Sequence, residues 1–203
     1  MKKKLSLLLS VAAILFSSCN VANTLYPIST DENDFFFKKE LIGKWKEIKD
    51  SSGYIQVDTV AGKNKTLYLV TILSPDEENK AIIDTSCFML RLIQLKKEYF
   101  LDCQLDISNT FPKNKGDYAQ WLIARHFIIK ISFDGKDKIY TSYPASDKLI
   151  QLIIGKKLSL NYSEINKNDY FILNNPSELQ KALIESQKYP ALYEDKDVFM
   201  RIK

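Results

Sequence analysis

The 203-residue sequence predicts a mainly β (α+β) fold, an antiparallel meander closing into a single barrel or strongly curved sheet, with a short helix at its start and two late helices. Three observations predict it. Runs rich in β-branched and aromatic residues recur through the middle of the chain and are separated by turn chemistry such as Ser51-Ser52-Gly53, Gly62-Lys63-Asn64 and Asp134-Gly135. Helical spacing of apolar residues is confined to 35–42, to 146–157 and to the stretch after Asn175. An apolar fraction of 45% with 12% aromatic residues supplies a core and excludes a disordered chain, and three cysteines are too few for a disulfide-dense mini-protein. A flat open sheet backed by the helices is the alternative architecture.

The chain opens on Lys2, Lys3 and Lys4, then twelve mostly apolar residues from Leu5 to Phe16, then Ser17, Ser18 and Cys19. That order is a secretory signal peptide over 1–18. Twelve helical residues rise about 18 Å, short of a hydrocarbon core of about 30 Å, so the run is not a spanning helix. Phe16-Ser17-Ser18-Cys19 resembles the lipobox of bacterial lipoproteins, with Phe16 standing where Leu is usual. The resemblance implies cleavage between Ser18 and Cys19, diacylglyceryl attachment to the Cys19 sulfur and acylation of the new amino group. Three acyl chains anchor stably where one binds marginally. The expected location is the bacterial cell envelope, at the outer membrane on its periplasmic side or at the surface.

Residues 19–34 read as the lipidated Cys and a flexible linker, polar and carrying Pro27, with a solvated acidic cluster at Asp31, Glu32 and Asp34. A single β-rich domain over 35–203 follows. A short helix is expected over 35–42, stopped by Gly43. Strands are expected over 44–48 with Trp45 inward, 54–60, 66–73, 81–95 with a bend or break near Asp84, and 99–107. After a polar loop over 108–120, a hairpin joins 126–133 to 138–143 through Asp134-Gly135. The helix over 146–157 starts at Ser146 or Asp147. A short strand over 169–173 leads to Asn175-Pro176-Ser177-Glu178, a cap followed by Pro at the first helical position, and 198–202 closes as a strand.

The two cysteines of the domain test this reading. Lys96-Lys97 is the polar break between two alternating runs, and a two-residue turn there pairs positions whose numbers sum to 193. Cys103 then lies opposite Leu90, Leu101 opposite Leu92, and Leu105 opposite Phe88, which matches apolar with apolar. Cys87 falls on the other face. A disulfide needs converging Cβ vectors and Cα atoms within about 7 Å, so two free, buried thiols are expected.

Leu41-Ile42-Gly43-Lys44-Trp45 resembles the opening of lipocalins and fatty-acid-binding proteins, where Gly-x-Trp lies at the start of the first strand. The wider order resembles an uncharacterised group of bacterial lipocalin-like β-barrel lipoproteins: this start, the 99–102 and 126–130 strands, the 149–154 helix, and a Ser177-x-Leu179-Gln180 helix before a last strand. The resemblance implies a lipocalin-like barrel and an envelope location, and no chemistry.

The residues assign no catalytic group, metal ligand or cofactor. His126 is the one histidine and opens an apolar strand beside Arg125; it is expected to be a strand-end residue bonded to backbone or water. One His without Cys-x-x-Cys makes no zinc site. Asp102 and Asp106 share the face opposite Cys103 and can serve acid–base work or a hard cation, but are expected to mark a solvated face. Six glycines never form Gly-x-Gly, so no phosphate-cradling loop exists. Phe35-Phe36-Phe37 is expected to pack rather than meet a ligand. The basic pairs Lys38-Lys39, Lys96-Lys97 and Lys156-Lys157 read as turn and edge protection.

The formal net charge of +4 suggests an anionic partner only until the leader is removed. Its three lysines belong to 1–18, leaving 26 basic against 25 acidic residues and a charge of +1. Nucleic acid is therefore not an expected partner. Two functions remain. One is a non-enzymatic, lipid-anchored interaction or structural module with a protein partner. The other is a lipocalin-like binder of a small apolar or amphipathic ligand, which requires an interior cavity on the order of hundreds of Å3.

Overall fold

A computed structural model describes residues 23–49, 53–60, 66–75, 82–106, 125–166 and 169–202. Strands β3 (Gly43–Glu47), β4 (Tyr54–Thr59), β5 (Leu67–Pro75), β6 (Ile82–Leu95), β7 (Glu98–Leu105), β8 (His126–Asp134) and β9 (Lys138–Ser142) run as an antiparallel meander. The strand β12 (Lys196–Arg201) lies between β9 and β3 and pairs antiparallel with both, which closes an eight-stranded barrel. Closure removes the sheet edges that an open sheet would leave unpaired. The flat-sheet alternative is excluded.

The interior is filled by the inward half of each alternation: Trp45, Tyr68, Val70, Phe88, Leu90, Leu92, Leu101, Cys103, Ile131 and Ile139 form one packed cluster. The β6–β7 register is the one the turn at Lys96-Lys97 dictates, with Leu90 opposite Cys103, Leu92 opposite Leu101 and Phe88 opposite Leu105. Neither Cys87 nor Cys103 is in a disulfide, and both are buried. Cys103 faces the interior, while the Cys87 sulfur lies 3.9 Å from Thr71 Oγ1. The irregularity expected near Asp84 is a register shift: Ile72 pairs with Ser86 and Leu73 with Asp84, leaving one extra residue on β6.

Gly43-x-Trp45 closes one end of the barrel. Gly43 has φ +136, a region L side chains rarely adopt, and a Cβ there would meet Arg201 Nη1 at 2.5 Å. Arg201 needs that space, because its Nη1 donates to Ile42 O at 2.7 Å while its Cζ lies 4.4 Å over the Trp45 ring. Trp45 Nε1 donates to Leu41 O at 2.9 Å.

A second core lies outside the barrel. Helix α1 (Ser146–Ile154) places Leu149 and Ile150, and α2 (Pro176–Ser186) places Leu179 and Leu183, in a buried layer. Leu149, Leu179 and Leu183 join Ile93, Leu95, Phe100 and Ile128 of the barrel wall and Leu192 and Tyr193 of a 3-10 turn (Pro190–Tyr193) in one cluster. The cap of α2 is as the sequence predicts: Asn175 Oδ1 accepts from the Glu178 N–H at 3.1 Å, with Pro176 first in the helix. Helix α1 differs, since Ala145 occupies its cap position without a side-chain bond and the helix ends at Ile154, not 157.

Two expectations for the start of the domain are corrected. The helix over 35–42 is instead a two-residue strand β2 (Phe35–Phe36) on β6, followed by a 3-10 turn (Lys39–Leu41). The apolar residues there serve two separate layers, Phe35 outside the barrel and Leu41 inside, which a single helical stripe cannot do. The linker over 19–34 is, from Asn23 on, docked on the barrel as a strap. Strand β1 (Asn23–Thr24) pairs antiparallel with β8 and parallel with β11 (Asp169–Ile172), which pairs in turn with β10 (Tyr162–Asn166). Ile28 is fully buried. Apolar residues too sparse to register as a pattern suffice when each finds its own seat.

Candidate functional site

The strap and α2 cover the outer face of β6, β7 and β8, and this changes the standing of its polar residues. Asp102 and Asp106, expected on a solvated face, are both buried. Asp102 is the better defined. Its Oδ2 accepts the Ile28 N–H at 2.8 Å, and its Oδ1 lies 2.6 Å from His126 Nδ1. A carboxylate accepts, so the shared proton is carried by Nδ1, leaving Nε2 as the free end of the ring. His126 is therefore bonded to an acidic side chain rather than to backbone or water. Asp106, just past β7, donates its N–H to Cys87 O at 2.8 Å.

Register explains the meeting. Gln104 lies directly opposite His126 across β7 and β8, so Asp102, two residues along the same face, is its diagonal neighbour. On the other side Arg91 lies directly opposite Asp102 and Met89 opposite Gln104. These residues, with Leu67, line a small open cleft of about 60 Å3. Asp102 is engaged with Ile28 and His126 rather than with Arg91. The Arg91 guanidinium instead lies 4.8 Å over the Phe35 ring, and its Nε is buried without a hydrogen-bond partner. The cleft thus holds one half-buried arginine fork, the free end of one imidazole and one amide.

Other residues singled out by the sequence go elsewhere. Phe35 is buried in the outer core, whereas Phe36 and Phe37 are 41% and 47% exposed, with the Phe37 ring stacked on Tyr68. Lys38 Nζ sits over the Tyr99 and Phe133 rings, 4.6 and 4.4 Å from their centroids, a role that charge patterning does not reveal. Among the described residues no three His, Cys, Asp or Glu side chains gather around a common point. No described helix is long and apolar enough to cross a membrane. Ser18 and Cys19, and the loop expected over 108–120, lie outside the described residues.

The thiol and phenol environments are set by the same packing. Burial, helped by the charge of Asp102, pushes the Cys103 thiol well above its ordinary range. Burial also pushes the Tyr193 phenol up to about 12, opposed by its hydrogen bond with Ser186.

Fold and site together define a closed eight-stranded antiparallel barrel, filled inside, whose Asp102, His126 and Arg91 side chains gather on the outer wall beside the strap. In comparisons with known proteins, no family model, no curated protein and no solved structure matches the chain.

Proposed function

We propose that the chain is a lipid-anchored bacterial envelope lipoprotein, acylated at Cys19 after cleavage behind Ser18, whose lipocalin-like barrel is a non-enzymatic interaction module. The observation that carries the interaction reading is the filled interior. Trp45, Tyr68 and Leu92 of the interior cluster are each at most 1% exposed, so recognition falls to the outer surface. Carrying an apolar ligand inside would need hundreds of Å3, so the same packing supports this reading over a small-ligand carrier. The lipocalin-like description rests on the meander and on Gly43-x-Trp45 at its first strand, with the difference that α1, β10, β11 and α2 intervene before the eighth strand.

The docked strap adds a constraint on the anchor. Between Cys19 and Asn23 stand three residues, so the lipidated sulfur and the barrel are joined by at most about 14 Å of extended chain. The domain is held against the bilayer rather than lifted from it. Membrane fractionation and intact-mass measurement of the wild type and Cys19→Ala test the anchor: the wild type stays with membranes and carries the mass of its acyl chains, and the variant does neither. Equal fractionation and equal mass defeat it. Photocrosslinking in intact cells from Phe36 or Phe37, both exposed beside the strap, tests the interaction reading, which fails if no protein adduct forms.

A further inference from the structure

We infer that the outer-wall cleft between Arg91 and His126 is a binding site for a single carboxylate group. The inference is independent of whether Cys19 carries lipid.

A buried guanidinium N–H without an acceptor is costly, and native structures seldom leave one. Arg91 Nε is such an atom. The obvious acceptor, Asp102 directly across the strand pair, is already taken by the Ile28 N–H and His126 Nδ1. Both partners of Asp102 are fixed by the fold, one by the docked strap and the other by the β7–β8 register, so Asp102 is not free to turn to Arg91. The Phe35 ring lies on the guanidinium face, so an acceptor must approach in the guanidinium plane, from the cleft that Arg91 lines.

The chemistry of the ligand follows from charge and size. Arg91 offers one positive charge and the Asp102–His126 pair is at most neutral, so the site holds no more than one net positive charge. A monoanion is the most it can balance, whereas a phosphate dianion would bring a second negative charge beside Asp102. A cleft of about 60 Å3 admits a head group of a few atoms, and Leu67 and Met89 offer apolar contact for the carbon that carries it. A planar carboxylate meets the arginine fork with two parallel hydrogen bonds. The Gln104 amide supplies a further donor on the opposite wall, and His126 Nε2 donates there only when the ring carries both protons. The carboxylate comes either from a free organic acid or from a polypeptide, through an acidic side chain or a C-terminus.

The test is an NMR titration of the full chain in detergent micelles, at fixed pH and ionic strength. The Arg91 Nε–Hε signal and the single imidazole of the chain are the reporters. The probes are acetate, chloride, phosphate, and a short peptide with either a C-terminal carboxylate or a C-terminal amide. Saturable shifts of both reporters with acetate or the peptide acid, at least tenfold weaker for phosphate, are expected. The affinity should fall at least tenfold in Arg91→Gln and less in Arg91→Lys. A peptide acid binding at least tenfold tighter than acetate assigns the carboxylate to a polypeptide, and equal binding assigns it to a free acid. Shifts that never saturate, that chloride reproduces, or that the peptide amide matches overturn the proposal. The acid-against-amide comparison needs no variant, so it decides even if Arg91→Gln does not fold.

Discussion

The backbone N–H of Ile28 donates to Oδ2 of Asp102 at 2.8 Å, across 74 residues of sequence. The carbonyl of the same residue accepts from Gln180 Nε2 at 3.1 Å, so Ile28 is gripped on one side by the barrel wall and on the other by α2. A stretch that reads as linker is thereby part of the body. Asp102→Ala removes the acceptor for both the Ile28 N–H and His126 Nδ1. The expected cost is about 1.5–3 kcal/mol of stability, because buried donors are left unmade. Urea denaturation measures the loss, and amide exchange at Ile28 should accelerate. Unchanged exchange at Ile28 would show that the strap is held by its apolar contacts alone.

Gly43→Ala should destabilise the barrel by about 1–3 kcal/mol, from a strained backbone and from displacement of Arg201. The Arg201 fork would leave the Ile42 carbonyl and the Trp45 ring together. A double-mutant cycle with Arg201→Ala checks the cause. The cost of Gly43→Ala should shrink when Arg201 is already absent, and full additivity would refute the link.

A change in the opposite direction is expected at the β6–β7 turn. Lys96 has φ +58, the left-handed region that costs an ordinary L residue about 1–2 kcal/mol. Lys96→Gly removes that cost and adds some chain entropy to the unfolded state, for a net gain of about 0.5–1 kcal/mol. The denaturation midpoint should rise. A fall would mean that Lys96 contributes through its side chain.

Stability should decline in alkali. Cys103 and Tyr193 are both raised above their ordinary values, chiefly by burial. Such groups keep their protons when folded and lose them when unfolded, so the unfolded state binds fewer protons as pH rises. Their contribution is complete below about pH 8.5 for the thiol and about pH 10 for the phenol, and is lost above those values. Each lost proton costs about 1.4 kcal/mol per pH unit. Urea midpoints at pH 7, 9 and 10.5 should fall, and should fall less steeply in Cys103→Ala and Tyr193→Phe. Parallel slopes in all three proteins would count against the assignment.

Local signals were legible wherever one residue's role follows from its neighbours. The alternation on either side of Lys96-Lys97 predicts the β6–β7 register residue by residue and sends Cys87 and Cys103 to opposite faces. The same locality made the Asn175 cap readable. The strand β10 is not legible in the sequence because Tyr162 and Ile165 fall on opposite faces of a segment without clean alternation, and it pairs only with β11, outside the barrel. The Asp102–His126 contact was out of reach for another reason. Two strand-borne residues 24 apart meet only if the hairpin between them takes one register, and a long polar stretch separates β7 from β8.

The sequence by itself determined the β class, the meander through β9, the inward Trp45 and the absence of a Cys87–Cys103 disulfide, because alternation and turn chemistry act over a few residues. The tertiary structure alone decided that the meander closes through β12, that side chains fill its interior, and that a polar segment straps its outer wall. Those outcomes depend on which faces find partners far away in the chain. The strap turned Asp102 from a surface carboxylate into a buried one committed to Ile28 and His126, and so left Arg91 without its neighbour.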